Sequence, residues 1–148
     1  MEKQRTIPLG AAMALAFAAA LGMKCFLFDF MIAEGRSMLP GIKPGSVLLV
    51  NRAAYGLRLP GAGEYCIRWG LPSPGDVVVF YTPQGDRAVK RCAGLIPEED
   101  APAAGNRPGS VAAKRFFAQG DNGLESFDSR SYGPIPVDRI LGKVVGVK

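Results

Sequence analysis

From Ile7 to Met23 the chain runs about 17 residues without a charged side chain, and that run restricts its fold more than any other feature. It is close to the shortest helix able to cross the hydrocarbon core of a bilayer. Apolar character resumes beyond Lys24 in Cys25–Phe28. A lysine at such a break can reach the interface with its amine while its stem stays in lipid. Lys3 and Arg5 precede the run, and Asp29 and Glu34 follow it. This charge order places the N-terminus in the cytoplasm and the remainder outside. A cleaved signal peptide is the competing reading, because A-F-A-A-A-L-G contains small residues of the cleavage-site kind. A lipoprotein-type site at Cys25 is disfavoured by the lysine before it. Since the apolar run leads directly into the next ordered stretch, a retained anchor over residues 1–28 is expected. Residues 29–148 then form one region outside the membrane, and the lipid bilayer is an expected partner.

With 148 residues, 19 glycines and 12 prolines, the region after the anchor suits one globular domain rich in turns. Val47–Val50 and Asp76–Tyr81 are short β-branched runs, the second introduced by Pro74-Gly75. T-P-Q-G-D at 82–86 reads as a turn, with Ala88–Ile96 as the returning hairpin strand. Val111–Gln119 and Ile140–Val147 are further strand candidates, and Glu98–Gly109, rich in Pro, Ala and Gly, reads as a loop. The expected fold is therefore mainly β, a compact antiparallel sheet or barrel behind one N-terminal transmembrane helix. Leu57, Leu59, Trp69 and Leu71 are expected to form an apolar patch resting on lipid.

The net charge of +5 suits an anionic membrane surface or simply a solvated exterior. No run of Lys and Arg is dense enough for a nucleic-acid footprint. The absence of histidine excludes Ser-His-Asp triads, Cys-His dyads and His-ligated zinc. Cys25, Cys66 and Cys92 lack metal-type spacing, so neither a metal nor a cofactor is expected. Cys66 and Cys92 are either a disulfide pair outside the cytosol or free, buried thiols.

Any base for a nucleophile must then be Lys, Asp, Glu, Tyr or an amine. Ser37 lies in E-G-R-S-M-L-P at 34–40, where Gly35 and Pro40 restrict the backbone on either side and can hold the hydroxyl in one direction. Lys90 lies in the apolar stretch A-V-K-R-C-A-G; strand alternation puts it on one face with Ala88 and Cys92, opposite Val89 and Arg91. Free lysine is neutral at pH 7 in about one molecule in 2,500. Burial raises that fraction because it disfavours the ammonium. Gly120–Gly133 adds Asp121, Ser126, Asp128, Ser129 and Arg130 in a polar, turn-rich stretch suited to buttressing a buried lysine.

Taken together these stretches resemble the bacterial type I signal peptidases, membrane-anchored Ser/Lys proteases that remove signal peptides from exported precursors. The matching blocks are S-M-L-P at 37–40, P-G-S-V-L-L-V-N-R-A-A-Y-G at 44–56, P-G-D-V-V-V-F at 74–80 with V-K-R at 89–91, and G-D-N at 120–122 with S-F-D-S-R at 126–130 and Y-G-P at 132–134. The resemblance implies Ser37 as nucleophile and Lys90 as general base, acting on signal-peptide-bearing precursors at the outer face of the cytoplasmic membrane. It implies that Ser126 hydrogen-bonds the lysine amine, that Asp128 and Arg130 form an ion pair behind it, and that Asp121 pairs with Arg91. The backbone N–H of Ser37 would stabilise the oxyanion. Small side chains one and three residues before the cut would be received by Met38, Ile42, Ala88 and Val89 in the nearer pocket, and by Met31, Ala33 and Leu48 in the farther one.

The chain departs from the family pattern at Gly35, where some relatives carry a serine, at Gly41 and Ser46 in place of Thr and Asp, and at Gly123-Leu124-Glu125 in place of R-D-N. The short stretch between Arg91 and Gly120 leaves room for only a minimal cap. Two other readings stay open: a specialised peptidase of the same clan that matures a pilin or conjugation protein, and a membrane-anchored β-domain that binds partners without catalysis. The last requires Ser37 and Lys90 to lie far apart.

Overall fold

Short apolar runs closed by glycine and proline turns become strands, and the computed structural model describes them over residues 8–58, 65–97 and 114–148. Helix α1 (Leu9–Leu27) passes without a linker into β1 (Phe28–Ile32). The other strands are β2 (Val47–Asn51), β3 (Gly56–Leu57), β4 (Ile67–Arg68), β5 (Val77–Tyr81), β6 (Arg87–Pro97), β7 (Lys114–Gln119), β8 (Ile135–Pro136) and β9 (Ile140–Val147), with a short helix α2 at Ser129–Tyr132. Seven strands form one antiparallel sheet in the order β1-β2-β9-β5-β6-β7-β8, and β3 pairs with β4 separately. Register shifts at Leu49/Val50, Val79/Phe80 and Cys92/Gly94 add local twist, and the sheet curls into a half-barrel.

Period-two alternation distributes the core over both faces of β5. Val78 and Phe80 join Tyr55, Cys92, Phe116 and Ile140 in one cluster. Val79 joins Ala33, Met38, Ile42, Leu48 and Val50 in the other. Phe80 and Phe116 meet edge to face with centroids 5.3 Å apart. The second cluster contains residues on either side of Ser37, so the turn carrying the hydroxyl is fastened to the sheet by its apolar neighbours.

The strands expected at 47–50, 76–81, 88–96 and 140–147 are present. The strand expected at 111–119 is described from Lys114 onward; its first three residues, the loop at 98–109 and Leu59 lie outside the described residues. Phe28, expected at the end of the anchor, instead opens β1. Side chains of α1 are described only for Leu9–Ala18, Gly22 and Leu27. Among the described residues no helix is long and apolar enough to cross a membrane. Cys66 and Cys92 are both free; Cys92 is buried, but Cys66 is exposed rather than buried. Trp69 is 57% exposed, whereas Leu57 and Leu71 are half-buried and Leu71 packs on the first core cluster.

Candidate active site

The turn from Gly35 to Ile42 is shaped by its own backbone. Gly35 has φ +78°, in the left-handed region that glycine enters without strain, and Leu39–Pro40 is a cis peptide. Leu39 N–H donates to Arg36 C=O at 3.2 Å and Ile42 N–H to Met38 C=O at 2.8 Å. From the other side the Gly120 loop closes on this turn: Asn122 N–H donates to Ser37 C=O at 2.9 Å, and its side-chain amide to Arg36 C=O at 3.2 Å. Gly120 is required by close approach, since an added Cβ would lie 2.6 Å from Ser37 C=O and 2.1 Å from Ser126 Oγ.

Lys90 opposes Val78 on β5 and is 6% exposed. Its Nζ donates to Ser37 Oγ at 2.6 Å. Burial pushes its pKa down; the Asp128 carboxylate pulls it up, Arg130 opposes that pull, and the net direction is downward. Among the described residues Lys90 has no ion-pair partner. Ser37 N–H likewise has no partner among them. A hydroxyl, an amine biased toward neutrality and an unoccupied backbone donor therefore meet at one point. That set is suited to deprotonating an oxygen and receiving a developing oxyanion. The separation also removes the condition on which the non-catalytic reading rested.

Asp128 has no exposure at all and accepts from Ser126 Oγ (2.6 Å), Gly120 N–H (2.9 Å), Arg130 N–H (3.1 Å), and Arg130 Nε (2.9 Å) and Nη2 (2.7 Å). Burial pushes this carboxyl up, but Arg130, Gly120 and Ser126 outweigh it and hold it far below the usual carboxylate range. Ser126 therefore departs from expectation. Its hydroxyl donates to Asp128, the stronger acceptor for that proton, and among the described residues no hydrogen bond joins it to Lys90. Arg91 grips Asp121 with both arms, at 2.8 and 2.7 Å, and donates to Gly75 C=O at 2.8 Å. Gly41 faces this pair: a Cβ there would come within 3.0 Å of the Asp121 carboxylate, which leaves little room for a threonine.

A cleft of about 500 Å³ opens beside the pair, lined by Met31, Ala33, Met38, Ile42, Ala88 and Val89 together with Ser37 and Lys90. Leu48 does not line it. It opposes Met31 across β1–β2 and its side chain is wholly buried in the cluster behind the wall. Ile32, Glu34, Gly35, Asp86 and Arg87 also line the cleft, and sequence reasoning assigned none of them to it. Their signal was adjacency, flanking Ser37 and Lys90 by two to five positions. The cleft runs between two strand edges that are free among the described residues. β1 is the first strand of the sheet, and residues 87–90 of β6 pair with β5 only, because β7 joins from Arg91 onward.

The family model described as "Signal peptidase, peptidase S26" matches residues 6–101 and 96–147. The chain belongs to this signal peptidase family. It is 24% identical to signal peptidase I of Bacillus caldolyticus, over 82% of this chain and 80% of the relative. It is 35% identical to signal peptidase I of Pseudomonas fluorescens over 71% of this chain, although that match spans only 35% of the relative. Mitochondrial inner membrane protease subunit 1 of Schizosaccharomyces pombe is 28% identical over 81% and 73% of the two chains. For a signal peptidase, the residues brought together are Ser37 with Lys90, Asp128 with Arg130 and Ser126, and Asp121 with Arg91.

Proposed function

We infer that this signal peptidase cuts its precursors with Ser37 as nucleophile and Lys90 as general base. The observation that carries this reading is a single contact, Nζ to Oγ at 2.6 Å, made by a buried amine that has no carboxylate partner among the described residues. Neutral Lys90 takes the hydroxyl proton as Oγ attacks the scissile carbonyl. The resulting oxyanion is received by Ser37 N–H, a type of donor whose removal costs about 10²–10³ in rate in other enzymes. The ammonium then returns its proton to the departing amine, and water repeats the sequence on the acyl-enzyme.

The precursor lies extended between the free edges of β1 and β6. Side chains one and three residues before the cut turn into the apolar wall made by Ala33, Met38, Ile42, Ala88 and Val89, a shallow surface that suits alanine. Asp128 with Arg130, and Asp121 with Arg91, hold the Gly120 loop against the serine turn.

The test uses full-length protein in detergent and a synthetic precursor peptide, from pH 6 to 10. Ser37→Ala and Lys90→Met are expected to abolish cleavage, with wild-type rate climbing as the amine loses its proton. Activity retained by either variant overturns the assignment.

The N-terminal segment that ends with α1 at Leu27 serves as a single-pass anchor, with the catalytic region at the outer face of the cytoplasmic membrane. This is supported by the charge-free run in the sequence and by exposed Leu9, Met13, Leu15 and Phe17 on α1. Trp69 supports a lipid-facing contact by its exposure. Release of the full chain from membranes by alkaline carbonate would refute the anchor.

A further inference from the structure

Besides Lys90, three ionisable side chains line the cleft without an ion-pair partner among the described residues: Glu34, Asp86 and Arg87. Asp86 and Arg87 are adjacent and opposite in sign. They precede Lys90 by four and three residues, roughly 10–13 Å along a strand, so their charges largely offset each other at the far end. Glu34 is different. It is three residues from Ser37, and it gives one uncompensated negative charge to a cleft in a chain of net charge +5.

Its backbone is as informative as its carboxylate. Ala33 bonds across to the β2 side, donating to Ser46 C=O and accepting from Gly45 N–H, each at 2.8 Å. Its side chain is buried. Glu34 follows Ala33 beyond the end of β1. The Glu34 side chain is exposed at the cleft, and its own N–H and C=O have no partner among the described residues. An extended peptide between the two free edges supplies partners for those groups and passes directly beside the carboxylate.

We propose that Glu34 selects a cationic side chain at the second residue before the cut. This rests on the signal-peptidase reading above, in which the first and third residues before the cut face the apolar wall. In an extended chain the residue between them points away from that wall, toward the rim where Glu34 stands. A lysine or arginine there meets a carboxylate; a glutamate meets like charge.

The experiment compares three synthetic precursor peptides differing only at that residue, Lys, Gln or Glu. Each is cut by wild type, Glu34→Gln and Glu34→Lys, as full chains in detergent at low salt. In the wild type kcat/KM falls in the order Lys, Gln, Glu by about threefold per step, the size of an exposed charge pair. Glu34→Gln flattens the series and Glu34→Lys reverses it. The wild-type spread shrinks at 1 M salt, where the screening length falls to about 3 Å. A Lys-to-Glu ratio that is the same in all three proteins overturns the preference while leaving the peptidase reading intact. If no peptide is cut by any form, the peptidase reading fails and the preference falls with it.

Discussion

Lys90 and Asp128 are both nearly inaccessible, and the protein treats them in opposite ways. The carboxylate accepts five hydrogen bonds from four groups, two of them from its guanidinium partner. The amine has one hydrogen bond among the described residues, to a hydroxyl. Burial works against the charged form of each. At Asp128 the donors overcome it and the charge persists; at Lys90 nothing sufficient answers, and the charge is disfavoured. The loop around Asp128 is a rigid support because its polar groups are satisfied. The amine is left without such partners among the described residues, which is the condition that its proposed role as base requires.

The strongest way to break this contrast is to make position 90 permanently charged. Lys90→Arg places a guanidinium, which does not deprotonate in proteins, where a neutral base is required. We expect kcat to fall about 10⁴-fold, as when a member of a catalytic set is removed, with no recovery up to pH 10. A rate that climbs with pH in this variant would remove Lys90 from the role of base. Next in size is Gly120→Ala. Its methyl group would strike Ser126 and the Ser37 carbonyl, prising the support away from the nucleophile. A displacement near 1 Å costs about 10² in kcat, while KM changes little because the cleft walls belong to other segments. An unchanged kcat would show that the loop does not position Ser37.

What could be read from sequence divides along the same line. Ser37, Lys90 and the Asp128–Arg130 and Asp121–Arg91 pairs stand in short blocks, each weak alone, and it is their order along the chain and its resemblance to the signal peptidases that point to them. Strands with β-branched alternation were equally legible. Ser126 was not, because which neighbour accepts its proton depends on how the loop folds back, and residue order along the chain does not state that. Leu48 was misplaced for a related reason: alternation identifies the buried face of a strand but not which buried residue reaches a cleft. β1 was hidden because Phe28–Ile32, apart from Asp29, is as apolar as the helix before it, and only pairing with β2 separates the two. Glu34, Asp86 and Arg87 carry no pattern, since their place in the cleft follows from which strand edges remain unpaired.

The structural half of the contrast is probed by Asp128→Asn. An amide cannot replace a carboxylate that accepts from Arg130, Gly120 and Ser126 at once. Arg130 is partly solvated, so water takes over some of its share, and the expected loss is about 2 kcal/mol of folding stability. The sign with pH is fixed by the depressed carboxyl. The stability it contributes is complete above the unfolded value near 4, and it is lost as pH falls through the lower folded value. Denaturation midpoints of wild type and variant should therefore differ most near neutrality and converge in acid. A difference independent of pH would mean that packing, not charge, is what Asp128 supplies.

The smallest expected effect is the most discriminating, because it asks whether burial of the amine costs the fold anything. Lys90 has a lowered pKa in the native state. Between that value and about 10.4 the unfolded chain holds a proton that the native chain has released, so native stability rises with pH across this window. Below it both states are protonated, and the desolvation cost of the ammonium is present in full. Lys90→Met keeps the length and apolar stem of the side chain without that cost. The variant should be more stable than wild type by about 1 kcal/mol at pH 6–7, measured by chemical denaturation of the full chain in detergent. The advantage should shrink steadily toward pH 10 as the native amine becomes neutral. A methionine variant less stable than wild type at pH 7 would show instead that Asp128 holds Lys90 as an ammonium ion. The two buried groups would then be one ion pair, and the reactivity assigned to Lys90 would have lost its physical basis.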